Sequence, residues 1–191
     1  MPPSDAPAGH LVLVGLMGSG KSTVGHLLAE RLHRPFFDSD EMVEARTSRT
    51  VREIFETDGE AAYRPLETDA LLAALDSPEP AVIAAAGGVV LSPVNRAALK
   101  ERAAEVVWLR ASPLLLVDRA LSQDHRPLLE HDPSGTLSHM AAERTPLYTE
   151  VADRIVDIDG LTPTEVADRI VSPAAPSAPT APGSPPAPGP S

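Results

Sequence analysis

The segment Gly15-Leu-Met-Gly-Ser-Gly-Lys-Ser22 has the residue types and the spacing of a phosphate-binding loop. It follows the apolar run Leu11–Val14, which predicts a strand, and precedes Thr23–Leu32, which predicts a helix. Glycines let backbone N–H groups converge on phosphate oxygens, and the helix N-terminus adds positive potential there. Lys21 then reaches the β- and γ-phosphates of a nucleotide, and Ser22 offers its hydroxyl to Mg²⁺. A plain glycine-rich turn is the alternative, but a lysine and a serine directly behind the last glycine favour a phosphate site.

Two carboxylates, Asp38 and Asp40, come at the end of the short predicted strand Pro35–Asp38. Side chains two residues apart on an extended segment point the same way, so we expect both to face the phosphate loop. One suits Mg²⁺, directly or through water, and the other suits a substrate hydroxyl whose proton it accepts. The third predicted strand ends without an acidic residue, which makes Asp38 the candidate metal residue. The alternative is a helix cap, in which Ser39 or Asp40 caps a helix that begins at Glu41.

Three arginines are further candidates for the site. Arg64 lies on a predicted helix with Glu67 as its partner three residues on, and Arg144 lies on a later predicted helix. Arg126 lies in a polar segment between two predicted helices, where we expect a mobile lid at about residues 112–130. A single arginine is typical of a solvated surface. Beside a phosphate loop in an acidic protein, however, several guanidinium groups favour a small substrate that carries a carboxylate.

Apolar runs of strand length alternate with helical segments along the chain. The predicted strands are Leu11–Val14, Pro35–Asp38, Ala81–Ala86, Glu105–Leu109 and Arg154–Asp157. Short apolar strands separated by helices predict an α/β fold, with a buried parallel sheet and helices on both faces. Ligands bind beyond the carboxyl ends of the strands in such sheets. Gly87 and Gly88 follow one of these ends, where they let the backbone approach a ligand and present N–H groups to it.

The same pattern predicts helices between the strands and a single folded domain. The predicted helices are Thr23–Leu32, Glu41–Arg46, Val51–Asp58, Gly59–Leu75, Ser92–Arg102, Pro113–Leu121, Ser134–Val151 and Thr162–Val171. We expect the domain to span residues 10–171, after a short disordered N-terminus at residues 1–9. Residues 172–191 are almost entirely Pro, Ala, Ser, Gly and Thr, a composition that predicts a disordered tail.

Composition excludes several classes of function. The 191 residues carry a formal net charge of -11, which argues against general binding to nucleic acid. The absence of cysteine excludes disulfides, thiolate catalysis and zinc fingers, and it fits a cytoplasmic protein. No apolar run approaches the roughly 20 residues of a membrane-spanning helix, so we expect no membrane partner. Residues 1–10 show no pattern of a signal peptide.

The motifs, taken in order, resemble those of the shikimate kinase family over about Leu11–Ile170. A phosphate loop alone is shared by many kinases, whereas the Asp-x-Asp, Arg-x-x-Glu and Arg-Pro-Leu-Leu elements are much more specific. The motifs that carry the resemblance are Gly15–Thr23, Phe37–Asp40, Ile54-Phe55, Asp58–Glu60, Tyr63-Arg64 with Glu67, Gly87-Gly88, Arg126–Leu129 and Arg144 with Pro146–Tyr148.

The resemblance implies a three-layer P-loop kinase of the nucleoside-monophosphate-kinase type, with a five-stranded parallel sheet in the order 2-3-1-4-5. It implies transfer of the γ-phosphate of ATP to the 3-hydroxyl of shikimate, a step in chorismate and aromatic amino-acid biosynthesis. It further implies a cytoplasmic monomer that uses ATP and Mg²⁺ and takes shikimate as its small-molecule partner.

Residue roles follow from the same resemblance. It implies that Lys21, Asp40 and Arg126 are catalytic, with Asp40 as the base, and that Ser22 and Asp38 serve Mg²⁺. Arg119 would flank the adenine, and Arg126 would come from the lid to the phosphates. The implied ATP-binding residues are Gly18, Ser19, Gly20, Lys21, Ser22, Thr23, Arg119 and Arg126. The implied shikimate-binding residues are Asp40, Arg64, Gly87, Gly88 and Arg144.

Two departures from the family pattern leave the choice of substrate open. Ala86 stands where the family usually has the first of three glycines, and its Cβ costs about 1 kcal/mol if that position needs a positive φ. Tyr63 keeps the ring of the usual phenylalanine and adds a hydroxyl. Two rival hypotheses are a kinase of the same architecture for gluconate or a cyclitol, and a regulatory module that binds nucleotide without transferring phosphate.

Overall fold

A computed structural model describes residues 7–121 and 132–171 of the chain. Its centre is a parallel sheet of five strands in the order β2-β3-β1-β4-β5. The strands are β1 (His10–Val14), β2 (Phe36–Asp38), β3 (Val82–Ala84), β4 (Ala103–Arg110) and β5 (Arg154–Asp157). The order confirms the sheet that the resemblance implies, and each strand lies within two residues of the bounds predicted for it.

Helices connect the strands and cover both faces of the sheet. Within the described residues they are α1 (Lys21–Leu32), α2 (Ser39–Thr47), α3 (Val51–Thr57), α4 (Glu60–Leu75), α5 (Pro93–Arg102), α6 (Pro113–Leu121), α7 (Pro133–Val151) and α8 (Pro163–Val171). Each also lies within two residues of its predicted bounds. A short 3₁₀ turn at Val89–Leu91, which follows β3, was not predicted.

The side chains of the central strand β1 alternate between two separate cores. Leu11 and Leu13 pack with apolar residues of α1 and α8, whereas Val12 and Val14 pack with those of α4, α5 and α7. All four are at most 1% exposed. Because both faces of the strand are buried, its sequence is a continuous apolar run. The sheet is therefore the middle of three layers.

The end of β3 is tied to the end of β2. The backbone N–H of Ala86 donates to the side-chain oxygen of Ser39, the first residue of α2, over 2.8 Å. This bond replaces a ladder bond to a neighbouring strand, so β3 ends two residues before the predicted Ala81–Ala86 segment does. The chain then turns at Gly87 and Gly88 beside the start of α2. The carboxyl ends of β2 and β3, both of which were expected to carry site residues, are thus held together.

Several predictions fall on residues that the structure does not describe. The predicted lid at residues 112–130 is described only as far as residue 121, where it is the helix α6. Arg126 lies outside the described residues, as do residues 1–6 and the predicted tail at residues 172–191. Among the helices of the described ranges, none is long and apolar enough to cross a membrane.

Candidate active site

The phosphate loop joins β1 to α1 and is built from backbone. Gly15, Gly18 and Gly20 all have positive φ, at 145°, 82° and 86°. A Cβ on Gly15 would lie 2.7 Å from the carbonyl oxygen of Leu109 on β4, so the close approach also requires glycine. The Nζ of Lys21 donates to the carbonyl oxygens of Gly15 and Leu16, over 2.9 and 3.1 Å. The end of the lysine side chain therefore lies inside the loop.

Asp38 joins the loop to the next strand end. Its Oδ2 accepts a hydrogen bond of 2.5 Å from the hydroxyl of Ser22, and its Oδ1 accepts one of 2.9 Å from the backbone N–H of Asp40. Asp38 is 8% exposed, and it is the N-cap of α2. The alternative of a cap at Ser39 or Asp40 was wrong in its residue, because α2 begins at Ser39, two residues earlier than predicted, and Asp38 caps it.

The extended geometry expected for the two carboxylates was wrong for the same reason. Asp40 lies in the first turn of α2, so it does not share a strand face with Asp38. Both nevertheless line the same cavity. The hydroxyl of Tyr63, on α4, donates a hydrogen bond to Oδ1 of Asp40. Burial raises the pKa of Asp40, and the bond from Tyr63 acts in the opposite direction and lowers it.

Arg64 is held between two carboxylates of its own helix. Its Nη1 donates to both oxygens of Glu67, over 2.9 and 2.8 Å, as the predicted three-residue spacing implies. Its Nε donates to Oε1 of Glu60 over 2.9 Å. Glu67 is only 2% exposed, and burial raises its pKa although the guanidinium of Arg64 acts in the opposite direction. Arg64 is therefore oriented before any substrate arrives.

The glycine pair lies against two arginines. The carbonyl oxygen of Gly87 accepts hydrogen bonds from Nη1 of Arg144, over 3.2 Å, and from the hydroxyl of Tyr148, over 2.6 Å. A Cβ on Gly88 would lie 1.7 Å from Nη1 of Arg64. Arg144 is 6% exposed, and its Nε has no hydrogen-bond partner among the residues described. Gly88 thus leaves room for the guanidinium of Arg64, and its own φ of −93° does not demand glycine.

Ala86 carries no backbone strain. The only non-glycine residues with positive φ in the described part of the chain are His33 and Ser48. The missing glycine of the family pattern therefore does not distort the turn, and the expected cost of about 1 kcal/mol does not apply.

A single cavity of about 730 Å³ joins the phosphate loop to these charged side chains. We call the residues Asp40, Tyr63, Arg64, Glu67, Gly87, Gly88 and Arg144 the charged wall. The predicted site residues that line the cavity are Gly18, Gly20, Lys21, Ser22, Thr23, Asp38, Asp40, Arg64, Gly87, Gly88, Arg119 and Arg144. Ser19 is 1% exposed and does not line the cavity, and its backbone N–H donates to the carbonyl of Leu16.

Arg119 reaches the phosphate loop from α6. Its Nη1 donates to the carbonyl oxygen of Gly18 over 2.8 Å. Pro163, at the start of α8, lines the same cavity. Arg126, which was predicted to reach the phosphates, lies outside the described residues.

Sequence reasoning assigned no role to several residues that line the cavity. Arg52 and Phe55 lie three residues apart on α3, so they share one face of that helix, and Glu60 begins α4. The helical period of Val51–Thr57 was the signal that Arg52 and Phe55 lie on one face of the helix. Glu60 also carried a signal, because it lies four residues before Arg64 within the predicted helix Gly59–Leu75.

Comparison with known proteins agrees with this architecture. A family model described as shikimate kinase matches residues 17–175. A shikimate kinase from Symbiobacterium thermophilum is 49% identical over 146 residues, which cover 75% of this chain and 83% of that protein. A shikimate kinase from Burkholderia lata is 45% identical over 152 residues, which cover 79% of this chain and 82% of that protein.

The chain belongs to the shikimate kinase family.

A solved structure agrees with this assignment. A shikimate kinase from Acinetobacter baumannii, in complex with shikimate, is 36% identical with a TM-score of 0.81, covering 85% of this chain and 90% of that one. As a member of the shikimate kinase family, the chain is an ATP-dependent kinase with a P-loop fold, and ATP is one of its substrates. The motif-based recognition of the family is thereby confirmed.

Proposed function

We propose that this protein transfers the γ-phosphate of ATP to the 3-hydroxyl of shikimate, with ATP on the phosphate loop and shikimate against the charged wall. Membership of the family supports the reaction. The observation that carries the assignment of residues is that one cavity joins the phosphate loop to Asp40, Arg64 and Arg144. The product of this reaction is shikimate 3-phosphate, on the route to chorismate and the aromatic amino acids.

In the proposed reaction, the 3-hydroxyl oxygen forms a bond to the γ-phosphorus while the bond from that phosphorus to the bridging oxygen breaks. ADP leaves with the electron pair of the broken bond, and the hydroxyl proton passes to the carboxylate of Asp40. Burial supports this role, because it raises the pKa of Asp40 and so makes the carboxylate a better base. Lys21 exchanges its loop carbonyls for phosphate oxygens and stabilises their charge.

The arginines of the charged wall suit the carboxylate of shikimate. Arg144 is buried, and its Nη1 is anchored to the carbonyl of Gly87. Arg64 is oriented by Glu67, which is itself almost fully buried. A guanidinium group fixed in this way binds a carboxylate without losing further side-chain entropy.

The oxygens at the loop fit Mg²⁺. Ser22 and Asp38 already meet through their oxygen atoms, and hydroxyl and carboxylate oxygens are the ligands that Mg²⁺ prefers. Among residues 7–121 and 132–171 no group of three or more His, Cys, Asp or Glu side chains is arranged to hold a metal. A site with one or two protein ligands, completed by phosphate oxygens and water, agrees with that finding. Bound Mg²⁺ would neutralise charge on the β- and γ-phosphates.

We also propose that the protein acts as a monomer in the cytoplasm. The lack of cysteine fits a reducing compartment. Light scattering coupled to size-exclusion chromatography tests the oligomeric state, and a dimer mass would contradict this part of the proposal.

The test of the reaction is the release of ADP from Mg-ATP in a coupled assay, with shikimate, gluconate and a cyclitol as alternative acceptors. We expect shikimate to give the strongest stimulation, and Asp40→Asn to lower kcat by about 10²-fold or more while it keeps the affinity for ATP. A preference for an acceptor without a carboxylate would contradict the assignment of shikimate as the substrate. Near-normal turnover by Asp40→Asn would remove Asp40 from the role of base.

A further inference from the structure

Tyr63 is buried next to the carboxylate that serves as the base in the proposed function. Its side chain is 2% exposed and belongs to a small apolar cluster with Val43, Ile54 and Ala70. Its ring also packs against that of Phe55, with the centroids 4.8 Å apart and the ring planes at 43°. Contacts on several sides therefore hold the phenol oxygen in one place beside the cavity.

The phenol of Tyr63 acts as a hydrogen-bond donor. Its hydroxyl donates to Oδ1 of Asp40. Burial raises the pKa of the phenol well above its ordinary value, so the hydroxyl keeps its proton at neutral pH. A hydrogen bond from a neutral donor to an ionised carboxylate is shorter and stronger than one between neutral groups. The bond connects α4 to the first turn of α2.

The two carboxylate oxygens of Asp40 are consequently not equivalent. Oδ1 is occupied by Tyr63, whereas Oδ2 accepts no hydrogen bond from any residue in the described part of the chain. The backbone of the same residue is anchored as well, since its N–H donates to Asp38 over 2.9 Å. Asp40 lines the cavity beside the phosphate loop. The oxygen without a protein partner is therefore the one available to a ligand there.

We propose that Tyr63 is a positioning residue, which holds the carboxylate of Asp40 so that Oδ2 receives the proton of the acceptor hydroxyl. The inference rests on the proposed function. As the acceptor oxygen forms its bond to the γ-phosphorus, its proton moves to Oδ2, and Tyr63 keeps its own proton throughout. Without the phenol, the carboxylate is free to rotate towards Lys21, the cation whose charge acts on it. Misplacement of a reacting group by such a rotation lowers the rate of the chemical step.

The test is a double-mutant cycle on kcat with Tyr63→Phe and Asp40→Asn. Tyr63→Phe keeps the ring and its apolar contacts, so we expect the melting temperature and the affinity for shikimate, measured by calorimetry, to be preserved. We expect its kcat to fall about tenfold, because a carboxylate that is no longer held in place accepts the proton of the acceptor less readily. Its KM for shikimate should change by less than about twofold, because the lost contact acts on the chemical step. In the Asp40→Asn background, Tyr63→Phe should lower kcat no further.

Tyr148→Phe is the matched control, because Tyr148 is the other tyrosine of the chain. Its buried hydroxyl donates to the carbonyl of Gly87 and not to Asp40. Whatever effect its removal has should keep the same size in the Asp40→Asn background. A purely structural role for both hydroxyls would make the two tyrosines behave alike in the cycle.

The outcomes separate this inference from the proposed function. An active wild-type enzyme, an impaired Asp40→Asn and an unaltered Tyr63→Phe would overturn the role of Tyr63 alone. The same holds if Tyr63→Phe lowers kcat by an equal factor in both backgrounds. A wild-type protein whose ADP release does not respond to shikimate would overturn the proposed function and, with it, this inference.

Discussion

The phosphate loop and the charged wall line the same cavity but are built in different ways. In the loop, Lys21 bonds to carbonyls five and six residues away, so these contacts lie within one short segment. In the wall, Tyr63 reaches Asp40 across 23 residues, and Arg144 reaches Gly87 across 57. A site made of backbone is thus encoded in consecutive residues. A site made of side chains depends on how separate helices pack against the sheet.

The two regions also differ in how their charges are balanced. The loop presents a cation and N–H groups to phosphates that the ligand brings with it. The wall contains its own counter-charges, since Arg64 is paired with the buried Glu67 and with Glu60. Removing a group from the loop therefore removes a contact to the ligand. Disturbing the wall changes the orientation of groups that remain in place.

The largest effect is expected for Lys21→Ala, which tests the loop. Turnover should fall by about two to three orders of magnitude, because one preorganised cation is lost at the transferring phosphate. The melting temperature should change little, because the bonds of Lys21 to the carbonyls of Gly15 and Leu16 lie within the loop. Steady-state kinetics and a thermal melt provide the two measurements.

Lys100→Ala is the control, because Lys100 is the other lysine of the chain and pairs with Glu150 at the surface over 2.9 Å. We expect it to leave turnover unchanged. If Lys21→Ala kept more than about a tenth of the wild-type turnover, the loop lysine would not stabilise the transferring phosphate as proposed.

An intermediate effect is expected for Gly88→Ala, which tests the wall. The backbone of Gly88 has φ −93° and ψ −7°, so alanine is allowed there, and the new Cβ conflicts with the guanidinium of Arg64. That guanidinium ends a flexible side chain and can move aside, but the movement weakens its ion pair with the buried Glu67. The KM for shikimate should therefore rise about 10- to 100-fold, as for a lost hydrogen bond to a charged group. The KM for ATP should stay near that of the wild type, and the melting temperature should fall by about 2 to 4 °C because the pair with Glu67 is weakened.

The same change in an Arg64→Ala background isolates the cause. With the guanidinium absent, Gly88→Ala should have no further effect on the KM for shikimate. A further rise of similar size would mean that the glycine serves the ligand directly, and that its contact with Arg64 is incidental.

The smallest effect is expected at a surface charge that belongs to neither region. Glu53 and Thr50 form a capping box at the start of α3. Two hydrogen bonds from Thr50 lower the pKa of Glu53 below its usual 4.5. The bond from the backbone N–H has the larger effect, and the bond from the hydroxyl has the smaller one. The ionised form thus adds stability above pH 4.5, and this stability is lost as the pH falls through the folded-state pKa.

Glu53→Gln should therefore lower the melting temperature by about 2 °C at pH 7. The difference from the wild type should vanish in acid, where both side chains are neutral. Thermal melts between pH 3 and pH 7 give the comparison, with turnover at pH 7 as the control. A difference that persists in acid, or a loss of turnover at pH 7, would contradict a role limited to the cap.

Much of the fold could be predicted from local patterns. The five strands follow from apolar runs and the helices from caps and composition, because these signals arise within a few residues. The parallel sheet follows from their alternation, whereas its order followed from the resemblance to a family. The error at Asp38 and Asp40 shows the limit of this reasoning. A boundary shifted by two residues turns a shared strand face into a cap and a first helical turn.

The sequence by itself determined the phosphate loop, the order of the elements and the residue types beside the loop. Each of these depends on spacing along the chain, since glycine conformation, helix period and strand period are local properties. Only the tertiary structure decided that Tyr63 bonds to Asp40 and that Gly88 leaves room for Arg64. Such contacts join residues that are distant in the sequence, and they form only when the packing of the helices has set the rotation and depth of each side chain.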